Sequence, residues 1–286
     1  MTPVSLNSGP MTGSIEGVAT VEAGNLRQIA HSFVAARNAA ESPIEYPGPF
    51  PRSLEEAYRI QDLALAEDGG PVHGWKVGRI ADADLPRYNA NRLAGPIFAR
   101  QVRQYEGRPL PMPVFAGGFA AAEAEFLLRI GSDVLPRQLG YTMEEAAELV
   151  DAVHVGIEIA SSPFPGINAH GPAVTISDFG NNNGLIVGAG IADWRRSGFE
   201  RWPVTLAVDG VELGRATTET MLDGAVGAVR FLLELLGRRG IALPRGSWVS
   251  TGAVTGVHEV EPGQAIVARF GPDLRVTCTI EAARTA

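Results

Sequence analysis

Cysteine is almost missing from this 286-residue chain, in which Cys278 is the only one. A lone cysteine excludes an internal disulfide framework and any zinc site built on cysteine ligands. No uninterrupted apolar run approaches the roughly 18 residues that a transmembrane helix needs. Residues 1–20 also lack the basic start and the apolar core of a signal peptide. We therefore expect a cytoplasmic protein with no membrane partner, in which residues 1–20 form a flexible arm.

Positive charge is in deficit, because 24 lysines and arginines face 32 aspartates and glutamates, for a net charge of −8. This balance argues against a nucleic-acid backbone or an anionic membrane as the main partner. Hydrophobic residues make up 45% and charged residues 20%, as in a globular protein with a sizeable core. The length suits one large domain, or one domain with a smaller lobe. None of these numbers identifies a substrate.

Helical patterns are confined mostly to the N-terminal part of the chain. Apolar residues recur at helical spacing across residues 22–40. A second helix is expected to begin at a capping box of Ser53 and Glu56 and to end at Gly69. We predict a helical N-terminal lobe over residues 21–72.

Residues 73–286 are predicted to form a β-rich domain. The predicted strands cover residues 73–77, 120–130, 155–160, 204–208, 211–213, 248–250, 265–270 and 274–280. Asp209 and Gly210 predict a type I′ hairpin turn. Two helices are expected in this part, one from Thr142 to about Val153 and one over residues 221–239. The predicted fold class is α+β, with a mixed β-sheet folded on itself into a pseudo-barrel beside the helical lobe.

Two glutamates, Glu123 and Glu125, lie two residues apart within the predicted strand 120–130. Side chains with this spacing share one face of a strand. Their neighbours are apolar, and two carboxylates on a buried face repel each other unless a cation lies between them. A hard divalent ion such as Mg²⁺ or Mn²⁺ suits carboxylate oxygens. The alternative is a half-exposed strand whose charges point into solvent.

Glu158 is an isolated acid within the apolar run 155–160. A buried carboxylate needs a partner, so Glu158 is either a third metal ligand or one half of an ion pair with an arginine. His154 is expected to face the other side of this strand and therefore not to be a ligand.

Lys76 lies in a short apolar strand between glycines, and Gly78 would let a ligand approach closely. Desolvation would lower the pKa of Lys76 and allow proton transfer, whereas a lysine that extends to solvent is the alternative. The turn at Asn182 either supplies amide donors to an anionic ligand or is a plain loop. Thr251 could place a hydroxyl group at a site, or lie in an ordinary turn.

Six short motifs occur in order along the chain. They are Ser53-Leu-Glu-Glu-Ala-Tyr-Arg-Ile-Gln61, Gly74-Trp-Lys-Val-Gly78, Gly95-Pro-Ile-Phe98, Glu123-Ala-Glu-Phe126, Gly156-Ile-Glu-Ile159 and Gly246-Ser-Trp-Val-Ser-Thr-Gly252. Together they resemble the 2-keto-4-pentenoate hydratase branch of the fumarylacetoacetate hydrolase superfamily. The resemblance extends from about Ser53 to Thr251.

The resemblance implies a metal-dependent homo-oligomeric lyase. It assigns Mg²⁺ or Mn²⁺ to Glu123, Glu125 and Glu158, and proton transfer to Lys76. The implied reaction is the addition of water to a 2-hydroxydienoic or 2-oxo-enoic acid, in aromatic or related catabolism. Alternatives are a 4-oxalocrotonate-type 2-oxo-acid decarboxylase, then an acylpyruvate-type C–C hydrolase, or a non-catalytic partner subunit. The histidine–glutamate dyad of the hydrolase branch is not evident in the sequence.

Three segments depart from the motifs of the hydratase branch. Arg79-Ile80 stands where a serine pair typically follows the lysine motif. Ser161-Ser162-Pro163 replaces an Asp-Ser-Arg, and Phe179-Gly-Asn-Asn-Asn183 replaces an Asp-Asn-Ala-Ser turn. The expected metal ligands and the lysine are therefore kept, while groups expected near the substrate differ.

Overall fold

The computed structural model describes residues 15–43, 45–137 and 140–285. Helices and strands alternate irregularly within these ranges. The helices are α1 (Ile15–Ala39), α2 (Leu54–Asp68), α3 (Leu85–Tyr88), α4 (Met143–Glu148), α5 (Pro172–Ser177), α6 (Trp194–Ser197) and α7 (Gly224–Arg239). The strands are β1 (Val72–Arg79), β2 (Arg92–Phe98), β3 (Val102–Gln104), β4 (Leu110–Val114), β5 (Phe119–Ile130), β6 (Val150–Ser162), β7 (Asn182–Gly190), β8 (Val204–Val208), β9 (Val211–Ala216), β10 (Trp248–Ser250), β11 (His258–Glu259), β12 (Ala265–Phe270) and β13 (Leu274–Ala282).

The strands form two mixed sheets. The larger has eight strands in the order β2-β1-β10-β5-β6-β7-β3, with β11 paired to β5, and the smaller has the order β4-β13-β12-β8-β9. Most neighbours are antiparallel, but β1 with β10, β3 with β7 and β4 with β13 are parallel. The larger sheet curls into a half-barrel, and the expected α+β class with a folded mixed sheet is confirmed.

The long strands β5 and β6 form the centre of the larger sheet, and their side chains alternate between two faces. One face packs against the smaller sheet, where the ring of Phe126 lies 4.9 Å from that of Phe199 and 5.4 Å from that of Phe270. Residues of α7, such as Leu232, belong to the same core. The other face of β5 carries Glu123 and Glu125.

Helices α1 and α2 pack against each other and share an apolar cluster with β2 of the larger sheet. Helix α1 begins at Ile15, so residues 15–20 of the predicted arm are helical, while residues 1–14 lie outside the described residues. Ile29 and Ile60 share an apolar cluster with Phe98 and Phe179, which belong to the β-rich part. Among the described residues, the large buried apolar side chains of both helices therefore belong to clusters that they share with the β-rich part. The boundary at residue 72 stays a prediction.

Only one of the two hydrogen bonds of the predicted capping box of α2 is present. The Ser53 hydroxyl accepts a hydrogen bond from the Glu56 amide at 3.2 Å. The Glu56 carboxylate, however, accepts from the backbone amide of Arg52 at 2.6 Å and not from that of Ser53. Gly69 ends the helix in the left-handed conformation, as expected.

The predicted helix from Thr142 to about Val153 is too long. Its capping box forms, but α4 ends at Glu148 and β6 already begins at Val150. Pairing with β5 explains the difference, because Val150 lies opposite Ile130 and long-range sheet hydrogen bonds replace the local helical ones. The predicted helix over 221–239 likewise begins three residues later than expected, at Gly224.

The predicted hairpin of β8 and β9 is present. Asp209 and Gly210 have φ values of 50° and 83°, as a type I′ turn requires at both central positions. Among the described helices, none has the length and apolar character needed to cross a membrane.

Candidate metal centre and active site

Three buried glutamates meet on one face of the larger sheet. Glu123 on β5 lies directly opposite Glu158 on β6, and Glu125 lies two residues further along β5. One carboxylate oxygen from each residue lies within 4.8 Å of the other two. Glu125 and Glu158 are fully buried and Glu123 is 5% exposed. The alternative of a half-exposed strand with solvated charges is therefore wrong.

The three carboxylates are electrostatically unbalanced. Burial raises the pKa of Glu123 to about 7, although Lys76 opposes this rise. Burial, with Glu158 and Glu123 adding to it, raises the pKa of Glu125 well above its ordinary value. Both shifts arise because burial disfavours the charged form of each carboxyl and the single Lys76 charge does not offset three carboxylates.

Two oxygen atoms of this cluster have no hydrogen-bond partner, namely Oε1 of Glu125 and Oε2 of Glu158. Buried acceptors without partners are rare in native proteins, and each one raises the free energy of the folded state. Three converging carboxylates with free lone pairs are the ligands that Mg²⁺ and Mn²⁺ prefer. The residues present therefore fit a divalent ion.

Lys76 lies beside the carboxylates on β1. Its Nζ atom is 3.3 Å from Oε1 of Glu158 and donates a hydrogen bond to Oδ1 of Asn181 at 3.1 Å. Burial alone would lower the pKa of Lys76, but Glu158, Glu123 and Glu125 together raise it above its ordinary value. The carboxylates therefore outweigh burial, and the expectation of a lowered pKa is wrong for the protein groups taken alone. A bound dication would oppose the carboxylates and shift this pKa downwards.

Glu125 is oriented by the strand next to β5. The Ser250 hydroxyl donates to Oε2 of Glu125, and the backbone amide of Gly252 donates to the same oxygen at 3.1 Å. These groups reach Glu125 because β10 pairs with β5, with Ser250 opposite Leu127. Both donors leave Oε1 of Glu125 free. Ser250 was not predicted as a site residue, although it lies within the motif that runs from Gly246 to Gly252.

A left-handed turn lies against Lys76 from the other side. Phe179, Gly180 and Asn181 have φ values of 52°, 63° and 57°. For residues other than glycine this conformation raises the free energy by about 1–2 kcal/mol per residue. Gly95 on β2 permits the turn, because a Cβ atom there would lie 2.0 Å from the carbonyl oxygen of Phe179. The turn thereby places the Asn181 side chain within reach of Lys76.

The turn continues into Asn182, which was predicted to bind substrate. Its Nδ2 atom donates to Oε1 of Glu158 at 3.0 Å, so Asn182 contacts a candidate metal ligand. Asn181 is the neighbour that lines the adjacent cavity, and its Nδ2 atom donates to Oδ1 of Asn168 at 3.1 Å. The sequence therefore identified the turn, but the structure gives its two asparagines different positions.

A cavity of about 670 Å³ opens beside the carboxylates. Four predicted site residues line it, namely Lys76, Gly78, Glu123 and Thr251. The first two and Thr251 therefore share the cavity with the exposed edge of Glu123. The Thr251 hydroxyl is already engaged, because it donates to the carbonyl oxygen of Phe126 at 2.9 Å. The cavity also contains charges of both signs and, within the described residues, no histidine. Its charged lining residues besides Lys76 and Glu123 are Arg79, Arg92, Asp84 and Glu259.

His154 lies on the same face of β6 as Glu158, contrary to expectation, because residues four apart in a strand point to the same side. It is nevertheless separated from the carboxylates. Its Nδ1 atom lies 2.8 Å from the carbonyl oxygen of Gly188, and its ring packs edge-on against Trp248 at 5.0 Å. His154 is therefore not placed to be a ligand, although it does not face the opposite side of the strand as expected.

No protein-family model matches this sequence, and no curated protein matches it either. Solved structures with the same fold are nevertheless found. One is 4-oxalocrotonate decarboxylase from Pseudomonas putida G7, complexed with magnesium and adipate, at 17% identity and a TM-score of 0.75 over 90% of this chain and 98% of that one. The same enzyme complexed with calcium and acetate has a TM-score of 0.74.

A second similar structure is fumarylpyruvate hydrolase from Pseudomonas aeruginosa in complex with Mn²⁺ and pyruvate. It is 19% identical, with a TM-score of 0.55 over 75% of this chain and 91% of that one. These enzymes are members of the fumarylacetoacetate hydrolase superfamily, so the fold that the sequence motifs implied is confirmed. At this level of identity the comparison establishes the fold alone.

Proposed function

We propose that this chain, which has the fumarylacetoacetate hydrolase fold, is a divalent-metal-dependent lyase that acts on a 2-oxo acid or its 2-hydroxydienoic form. The proposed reaction is the addition of water to the conjugated alkene. The observation that carries the proposal is the buried cluster of Glu123, Glu125 and Glu158, with Lys76 beside it and an open cavity in front of it. Mg²⁺- and Mn²⁺-complexed structures of the same fold support the metal.

Three carboxylates would hold the ion, and each is positioned differently. Glu125 is fixed by Ser250 and Gly252, and Glu158 accepts from Asn182. When bound, a divalent ion supplies a Lewis acid that stabilises negative charge developing on the 2-oxygen of a 2-oxo acid. Glu123 faces the cavity, so the ion would be accessible from the side on which substrate enters.

Lys76 is the proposed proton donor and acceptor. Its Nζ atom borders the cavity and is held by Asn181 and Glu158, which leaves one of its three N–H groups to point towards a substrate carbon. Conversion between the enol and keto forms of the substrate requires a proton to move at carbon. A positioned lysine can perform this step.

Decarboxylation of a 2-oxo acid is the second candidate. It passes through the same enol-type intermediate, and the P. putida decarboxylase covers more of this chain than the hydrolase does, 90% against 75%. Hydrolysis of an acylpyruvate C–C bond is third, since no histidine lines the cavity in the described part of the chain. We expect the implied homo-oligomer as well, which sedimentation would test.

The proposal is tested with 2-hydroxypenta-2,4-dienoate and a 2-oxo-3-enedioate, each with Mg²⁺ or Mn²⁺. Loss of dienol absorbance and release of CO₂ are both followed. We expect metal-dependent loss of the dienol without CO₂, abolished in Glu123→Ala and kept in Glu144→Gln, an exposed glutamate on α4.

Release of CO₂ would show that the reaction is decarboxylation and not hydration. Binding of Mn²⁺ without turnover of either compound would show that the substrate is a different 2-oxo acid. Absence of both turnover and metal binding would contradict the proposal and favour a non-catalytic partner subunit.

A further inference from the structure

We propose that Arg37 is a positioning residue, which clamps residues 178–183 so that Asn181 and Asn182 hold Lys76 and Glu158 in their places. The inference rests on the proposed function, because it concerns the same metal centre. Arg37 lies in the last turn of α1, and its side chain is 9% exposed. Its sequence separation from Asp178 is 141 residues, so no local pattern reveals it.

Arg37 makes a bidentate ion pair with Asp178. Its Nε atom lies 2.5 Å from Oδ1 and its Nη2 atom 2.9 Å from Oδ2 of that carboxylate. The Ser162 hydroxyl donates to Oδ2 of Asp178 at 2.6 Å. Asp178 is fully buried, so both of its oxygens are held in a dry environment where such bonds are strong.

The same guanidinium also holds the backbone of the turn. Nη1 donates to the carbonyl oxygen of Asn182 and to Oδ1 of Asn183, each at 3.2 Å. Nη2 donates to the carbonyl oxygen of Ser161 at 3.2 Å. The guanidinium carbon lies 5.3 Å from the centre of the Phe179 ring and 5.4 Å from that of Phe115. Arg37 therefore contacts the turn at both of its ends.

Such a clamp has a physical purpose here, because Phe179 and Asn181 are held in the left-handed conformation. Backbone in sparsely populated regions persists only when surrounding contacts fix it. Without Arg37, the turn would relax and the side chains of Asn181 and Asn182 would leave Lys76 and Glu158. The planar fork of arginine suits this network, and lysine cannot reproduce it.

The test is a calorimetric titration with Mn²⁺ of EDTA-treated wild type, Arg37→Met and Arg37→Lys, well below the unfolding temperature of each. We expect both variants to bind Mn²⁺ about 10–100-fold more weakly, as when a group that orients a ligand is removed. Simple electrostatics predicts the opposite sign for Arg37→Met, because loss of a positive charge should strengthen cation binding.

Arg239→Met is the matched control. Arg239 is equally buried, with a side chain 9% exposed, and it pairs with Asp62 on α2 but does not contact the turn. This variant should lose stability and keep the Mn²⁺ affinity of wild type. A double variant with Asn182→Ala adds a further test, since Arg37→Met should weaken binding by a smaller factor once Asn182 is gone and only the Asn181 contact remains to be lost.

Each outcome decides between explanations. If folded wild type binds no Mn²⁺, the proposed function fails. If wild type binds but both Arg37 variants bind equally well, only the positioning role is overturned. Independent, additive effects of Arg37→Met and Asn182→Ala would also overturn it. Should Arg37→Met fail to fold, Arg37→Lys, which keeps the charge, decides the question.

Discussion

The two faces of β5 differ sharply in chemistry, although both are buried. Ala122, Ala124 and Phe126 point to one side and pack among apolar residues of the smaller sheet and α7. Glu123 and Glu125 alternate with them and point to the other side, where burial raises the pKa of both carboxyls. A single strand therefore carries a stabilising face and a destabilising one.

This difference teaches that burial alone does not indicate what a residue contributes. Phe126 and Glu125 are both fully buried. Burial of the first removes apolar surface from water, whereas burial of the second isolates a charge without enough partners. Burial of the glutamate face stabilises the fold only when a cation is bound. Mutations on the two faces should therefore affect metal binding and stability separately.

The largest expected effect comes from Glu125→Gln. We expect turnover of whichever substrate is accepted to fall by at least about 10³-fold, because one of three ligands is lost. At a pH where this carboxyl is ionised, the metal-free protein should become more stable, since a buried charge is then replaced by a neutral amide. Enzyme assays and urea unfolding of the same preparation measure both effects. A less stable metal-free variant would contradict the contrast between the two faces.

A mutation on the apolar face of β5 should lower stability and leave metal binding unchanged. Phe126→Ala is expected to lower the free energy of unfolding by about 3–5 kcal/mol, because it leaves a cavity between the sheets. The folded fraction should keep its Mn²⁺ affinity, because Phe126 points away from the carboxylates. Urea unfolding and a Mn²⁺ titration check the two parts. A large loss of metal affinity in folded protein would show that the faces are not independent.

The stability of the metal-free protein should depend on pH. The pKa of Glu123 rises from 4.5 to about 7 on folding, so the folded chain binds this proton more tightly than the unfolded chain. The resulting stability is present below the unfolded pKa and is lost as the pH rises through the folded one. We expect a loss on the order of 3 kcal/mol, smaller in Glu123→Gln.

Urea unfolding of EDTA-treated protein from about pH 5 to about pH 8 measures this loss. Excess Mn²⁺ should reverse the trend, because the ion binds deprotonated carboxylates. An identical pH dependence in wild type and Glu123→Gln would count against a buried, proton-binding cluster.

A smaller effect is expected from Ser250→Ala, which removes a donor to Glu125 and leaves the three carboxylates intact. Metal affinity should fall by about 10–100-fold, as is usual for groups that orient a ligand. Thr251→Val is the neighbouring control, because the Thr251 hydroxyl bonds to a carbonyl oxygen and to no carboxylate. Equal losses in the two variants would indicate a general disturbance of β10.

Part of this site could be predicted from local sequence. The spacing of Glu123 and Glu125 places both on one strand face, and the apolar neighbours of Glu158 imply burial. The convergence of all three depends on the register of β5 with β6, which is set by the packing of both strands. The resemblance to the family predicted that the three glutamates meet, whereas their spacing in the sequence could not predict it.

The rest of the site depends on contacts between residues distant in sequence. Ser250 reaches Glu125, and Arg37 reaches Asp178, only after the sheet has formed. The same reason explains the overlong helix after Thr142, since local capping signals cannot show that Val150 pairs with Ile130. By contrast, the hairpin at Asp209 was predictable, because its turn geometry depends on two adjacent residues.

The most direct test of the central claim is a titration of EDTA-treated wild type with Mn²⁺, followed by calorimetry and by the electron paramagnetic resonance signal of the free ion. Glu158→Gln is titrated in parallel. We predict one bound ion per chain in wild type and an affinity at least about 100-fold weaker in the variant. Folded wild type that binds no ion, or a variant with unchanged affinity, would contradict the account of a metal centre built by Glu123, Glu125 and Glu158.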